Sequence, residues 1–236
     1  VNKPDFLEIH YHEDGIGETH DYWMKSGVDV QSIMGAADLY DYVNGQYHEE
    51  FASDVAFVGG YWPYKAQVLD KYLLPLCKLD SGLNVKIFGN QPWPVVNYCG
   101  FADNMHVANI LASAKVCPNL HEPHSQVYGH DIIERPYKLL ANKCFVVSDS
   151  VAGLNKLFTE EELVRAKTPE EFKKLILHYV KNPDQRDSFI QKGYDKVIKH
   201  HTYFDRVKKV FEKLNMKEQV ELANTTKANF LKGLNG

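Results

Sequence analysis

At 236 residues, 44% of them hydrophobic and 25% charged, the sequence has the make-up of one large or two small folded domains, which excludes a disordered or collagen-like chain. No apolar run approaches the roughly 18 residues of a membrane span, no signal-peptide pattern is read at the start, and the protein is expected in the cytoplasm (of a host, if viral). A net charge of −4 gives no general attraction to nucleic acid or anionic lipid, so any bound anion has to be met by a local cluster of cations.

In chain order, residues 1–50 show little periodicity. They hold His10, His12, Asp14 and His20 and a Tyr-rich stretch (Tyr40, Tyr42, Tyr47), with a short helix expected near Tyr22 to Ser26 and an apolar patch at Val30 to Ala37. His10-x-His12-x-Asp14 has the spacing of metallo-β-lactamase-like zinc hydrolases, but Gly15 stands where that pattern needs another His, and solvated histidines are the better reading. From Asp54 the pattern turns regular. Apolar runs at Val55–Val58, Val85–Phe88, Val95-Val96, Lys115–Cys117 and Cys144–Val147 alternate with helical stretches at 66–78, 104–114 and 136–142. Such alternation predicts an α/β fold, a doubly wound parallel sheet with helices on both faces. Further helices are predicted over 169–182, 184–200 and 203–214, opened by Thr-Pro, Asn-Pro and His-Thr capping signals, and a last one over 217–231. The four cysteines are far apart and read as reduced thiols, not as a zinc site or a disulfide framework.

In an open parallel sheet, ligands sit beyond the carboxyl ends of the strands. Gly59, Gly60 and Gly89 fall at such ends and permit close approach of a ligand to the backbone. Pro136 fits a first helical turn, which sets Arg135 and Lys138 on one face beside the positive end of that helix. Two cations there point to an anion site; the competing reading is a surface cluster in which Glu134 and Asp131 neutralise them. Lys65 is placed to reach the same anion, or is an exposed helix lysine. Trp62 and Phe101 are candidates to flank a base or sugar, or simple packing. Gly59-Gly60 is not a G-x-G-x-x-G fingerprint and Gly89-Asn90 replaces the ribose-binding acid, against a nicotinamide dehydrogenase. No P-loop or G-x-S-x-G motif is present.

Several motifs together resemble one family. Asp54-Val-Ala-Phe-Val-Gly-Gly60, Val85-Lys-Ile-Phe-Gly89, Glu122-Pro-His124, Tyr128-Gly-His-Asp131, Glu134-Arg-Pro-Tyr-Lys138 and Phe145-Val-Val-Ser-Asp149, followed by Asn182-Pro and His201-Thr-Tyr-Phe-Asp-Arg206, are similar to the C-terminal lobe of GT-B glycosyltransferases. The likeness is to the group-1 type, with the CgeB-like spore-maturation proteins and related phage and large-virus enzymes. It implies a Rossmann-like lobe over 53–214 that binds a nucleotide-diphosphate sugar without an essential metal or other cofactor and passes the sugar to a hydroxyl of a glycan or other acceptor. The same resemblance implies that Arg135, Lys138 and Lys65 neutralise the leaving diphosphate, and that Glu122 and His124 lie where the donor sugar is held. Glu134 matches the second glutamate of an E-x7-E pattern, on the ribose; Gln126 takes the first glutamate's place, and another register puts Lys138 at the ribose instead. Tyr128, Gly129, Asp131 and Asp149 belong to the donor-side motifs. Residues 1–52 read as a linker or the remnant of an acceptor lobe, 215–236 as a C-terminal helix, and Val at position 1 as the mark of a piece of a longer polypeptide; the missing lobe would come from the same or another chain. A non-catalytic Rossmann-like nucleotide-binding or interaction module is the alternative.

Overall fold

A computed structural model describes residues 6–234; the first five residues of the expected N-terminal segment and the last two of the C-terminal one lie outside the described residues. The elements in order are β1 (Leu7–Ile9), α1 (Ile16–Thr19), α2 (Asp21–Lys25), β2 (Val30–Ser32), β3 (Ser53–Val58), α3 (Pro63–Tyr72), β4 (Val85–Phe88), α4 (Asn104–Ala112), β5 (Ala114–Asn119), α5 (Pro123–Tyr128), α6 (Arg135–Ala141), β6 (Val146–Asp149), α7 (Ala152–Leu157), β7 (Val164–Ala166), α8 (Pro169–Lys181), α9 (Asp187–His200), α10 (Tyr203–Lys213) and α11 (Lys217–Leu234). Five strands form one parallel sheet in the order β4-β3-β5-β6-β7.

Successive strand residues point to opposite faces, and both faces are covered. Val55, Phe57, Val116 and Val147 pack on one side against Val68 and Leu69 of α3, Leu73 just after it, and Phe172 and Ile176 of α8. Cys117 and Val146 pack on the other against Leu111 of α4, Tyr137 and Leu140 of α6 and Val197 of α9. This double burial is why the strands read as continuous apolar runs. The helix starts follow the capping signals. Thr168 accepts from the Glu171 backbone N–H at 3.2 Å, Pro169 fills the first turn of α8, and Thr202 with Asp205 forms a reciprocal capping box on α10. Ahead of α9, the Asn-Pro signal opens a short 3-10 turn at Pro183–Gln185 instead of the helix itself.

One expected strand is corrected. Val95-Val96 is loop, because Pro94 precedes it and Val96 stays exposed; only Tyr98 makes a bridge, to Ile87. The helix expected over 66–78 starts earlier, at Pro63, and ends at Tyr72, with Pro75 held in a 3-10 turn. The N-terminal segment is more ordered than its sequence suggests: β1 and β2 pair in parallel, and His12, Tyr11 and Gly15 dock on the loop after α5. His12 Nδ1 accepts from the Asp14 N–H at 3.2 Å, while His10 is exposed beside Glu8. The segment is also tied to α10: Ala37 bridges Thr202, and Arg206 donates to the carbonyls of Met34 (2.9 Å) and Gly35 (3.0 Å).

His201 sits in this junction against the rings of Tyr137 and Phe158, its Nδ1 accepting from Arg206 Nη2 at 3.2 Å. Burial, then the positive charge of Arg206, pulls its pKa from 6.5 to about 3. The unfolded chain therefore binds this proton first, and stability is lost as pH falls from about 6.5 toward 3. Between pH 6.5 and 4.5 this one residue is expected to remove on the order of 2 kcal/mol. Urea unfolding midpoints at the two pH values check it: His201→Gln should narrow the gap between them, and an equal gap would refute the assignment.

Candidate functional site

The strand order reverses between β3 and β5, so a crevice opens beyond their carboxyl ends. A cavity of about 600 Å³ occupies that place. Its walls come from the turns after β3 and β4, from the segment Leu120-His121-Glu122 after β5, from α4 and α6, and from Tyr42 of the N-terminal segment. The glycines are there for space. A Cβ on Gly59 would press on the Phe57 ring and Arg135 Nη2, and one on Gly89 would fall well inside 3.0 Å of the Gly59 carbonyl oxygen. Both turns are pinned from behind: Trp93 Nε1 donates to the Gly59 carbonyl at 3.0 Å and the Tyr98 hydroxyl to the Gly89 carbonyl at 2.9 Å.

Three cations line this cavity. Arg135, the first residue of α6, lies with its guanidinium 4.2 Å from the centre of the Phe57 ring, and Nη1 donates to the Val58 carbonyl at 3.1 Å. Among the described residues its Nε has no hydrogen-bond partner and no carboxylate comes within 4.0 Å of it. Burial pulls its pKa down to about 10, opposed in part by the charge of Glu122. Lys138, on the same face, sits 3.6 Å from the centre of the Tyr42 ring and 3.8 Å from Glu134 Oε2; burial lowers its pKa, Glu134 opposes this and Arg135 adds to it. Lys65 pairs with Glu122 at 2.8 Å. Glu134 is held at the rim by the Tyr203 hydroxyl, which donates to Oε1 at 2.7 Å. Asp131 does not reach the two α6 cations, since it accepts from Ser125 Oγ (2.9 Å) and faces His124 Nε2 (2.8 Å). Among the described residues the cleft thus holds three positive and two negative side chains, with the deepest cation the one that lacks a carboxylate.

Of the residues singled out in the sequence, Gly59, Gly60, Lys65, Gly89, Phe101, Glu122, Glu134, Arg135 and Lys138 come together here. Six lie elsewhere. Trp62 caps α3 at the surface; His124 stacks on Tyr64 and contacts its hydroxyl. Tyr128 donates to the Gly15 carbonyl at 2.7 Å, and Gly129, at φ 80°, ends α5 in the left-handed conformation. Asp131 belongs to the His124 pair, and Asp149 is buried under the cavity floor against His121. Gln126 turns the same way, donating to Asp149 Oδ2 at 2.7 Å. Sequence reasoning missed Tyr42, Asn90 and His121 as lining residues. Asn90 directly follows a strand-end glycine and His121 opens the densest polar stretch, which were the available signals.

Comparison with known proteins agrees with this architecture. The profile of a family described as glycosyl transferase-like matches residues 70–212, more than half of the sequence. This chain belongs to that family. No curated protein matches the sequence significantly. Among solved structures, T4 phage BGT in complex with its UDP-glucose substrate is 13% identical with a TM-score of 0.56, covering 93% of this chain and 65% of that one. HepE of Anabaena in complex with UDP and glucose is 10% identical at 0.61, covering 90% and 63%. Sucrose-phosphate synthase of Thermosynechococcus elongatus is 11% identical at 0.58, covering 96% and 58%. The chain therefore spans less than two thirds of the length of each of these three. The fold of this glycosyl transferase-like chain is the Rossmann-like lobe of the GT-B architecture, and no helix among its described residues is long and apolar enough to cross a membrane.

Proposed function

We propose that the chain is the donor-binding lobe of a cytoplasmic hexosyltransferase-like GT-B enzyme, which moves a sugar from a nucleoside-diphosphate sugar to a hydroxyl of a glycan or other glycoconjugate. One observation supports this above all: a buried guanidinium, Arg135, with no carboxylate partner among the described residues, in a cleft at the sheet's switch point and flanked by Lys138 and Lys65. A cation at a helix start is unfavourable by ~0.3–1 kcal/mol, and a diphosphate lying between it and the backbone amides reverses that sign. Breaking the sugar–phosphate bond builds negative charge on the diphosphate and positive charge on the sugar carbon. Preorganised donors aimed at the leaving group lower this barrier. Arg135 and Lys138 would take the diphosphate oxygens directly, and Lys65 would exchange Glu122 for phosphate, freeing that carboxylate to face the sugar. Glu134, held at the rim by Tyr203, is placed for the ribose hydroxyls. The acceptor side would come from a further lobe of the same or another chain.

A thermal-shift panel of UDP-, GDP- and dTDP-sugars tests the reading, with donor hydrolysis or transfer as its catalytic arm; no stabilisation by any of them would refute it. Because three side-chain cations do the neutralising, donor binding should need no divalent ion. Excess EDTA is expected to leave the Kd unchanged in titration calorimetry. Abolished binding, restored by adding Mn2+ or Mg2+, would overturn metal independence.

A further inference from the structure

The ring of His121 is 1% exposed and lies in the wall of the cavity, two residues beyond β5. One edge of that ring is fixed. Asp149, the last residue of β6, accepts from the His121 backbone N–H (3.2 and 3.0 Å to its two oxygens), from Gln126 Nε2 at 2.7 Å, and from His121 Nδ1 at 2.7 Å. Every neighbour of the carboxylate is a donor, so Nδ1 bears a hydrogen. The opposite nitrogen, Nε2, is buried and has no hydrogen-bond partner among the described residues. Folded proteins seldom leave such a group unmatched unless something else completes it. Here the ring lines the cavity that also holds Arg135, Lys138 and Lys65.

We infer that His121 Nε2 donates a hydrogen bond to a phosphate oxygen of the bound nucleotide, with Asp149 as its positioning residue; this rests on the cleft being the nucleoside-diphosphate site. An ionised phosphate oxygen only accepts, and the Nδ1 hydrogen is already committed to Asp149. In the complex Nε2 must therefore carry a hydrogen as well, so that both ring nitrogens donate, each to an anion.

Histidine-selective 15N NMR of the wild type saturated with UDP, GDP or inorganic pyrophosphate tests this, together with titration calorimetry of the same three probes. A hydrogen on His121 Nε2 is expected in each complex. His121→Asn and His121→Gln should each weaken pyrophosphate and nucleotide binding roughly 10-fold or more. Tight wild-type binding with no hydrogen on Nε2 would overturn the inference while leaving the proposed function standing, and needs no variant to fold. Undiminished binding by both variants would also overturn it. Failure of all three probes to bind the wild type would remove the proposed function and this inference together.

Discussion

Arg135→Met is expected to weaken UDP binding roughly 10- to 150-fold, the loss of one buried charge-assisted contact at about 1.5–3 kcal/mol, while leaving thermal stability at or above that of the wild type. The two halves of this outcome share one cause. The guanidinium is stripped of water and has no carboxylate partner among the described residues, and the fall in its pKa to about 10 puts the strain on its charged form at on the order of 3 kcal/mol. Methionine keeps an apolar stem over the Phe57 ring and gives up the hydrogen bond to the Val58 carbonyl and the cation–π contact with that ring. Calorimetry against UDP and a melting curve on the same sample decide it: an unchanged Kd would remove the diphosphate from this corner, and a collapse in Tm would make Arg135 a structural residue. Lys138→Ala should act in the same direction but less strongly, because its ammonium already has the Tyr42 ring and Glu134 for company.

Gly89→Ala should damage fold and site together. The new methyl group would be driven into the Gly59 carbonyl oxygen, which is itself pinned by Trp93, so the turns after β3 and β4 can separate only by breaking that bond. Overpacking of this kind costs about 1–3 kcal/mol, or a fall in Tm of roughly 3–10 °C for a chain of this size. Nucleotide binding should weaken further than Tm alone explains, since the displaced carbonyl lies in the cavity wall. A melting point and a Kd both equal to wild type would mean the two turns are not in contact.

The parallel sheet was legible because its central strands are buried on both faces and so read as unbroken apolar runs. β7 was not: Arg165 stands in the middle of three residues, and its guanidinium turns back to the Phe158 and Thr159 carbonyls. β1 and β2 were hidden for a similar reason, each being three residues long and paired only with the other. Arg135 and Lys138 could be found from local sequence, because a proline in the first turn fixes where a helix begins. His121 could not, because its significance lies in Asp149, 28 residues on, which the β5–β6 register brings beside it. His124 shows the opposite case. It stands in a motif rich in polar groups, and the course of α5 sets its ring beside Tyr64 and Asp131, with Glu122 of the cavity wall 3.8 Å away.

The clasp between Arg206 and the carbonyl of Gly35 joins residues 171 apart in sequence. At roughly 5–20 residues per second on the ribosome, the early partner waits on the order of ten to thirty seconds before the later one exists. Throughout that interval the strap bearing Tyr42 has no anchor on α10, and the wall it forms beside Lys138 is unfinished. A nascent chain would thus acquire its sheet well before it could hold a ligand, and competence would arrive only once the tenth helix has left the exit tunnel.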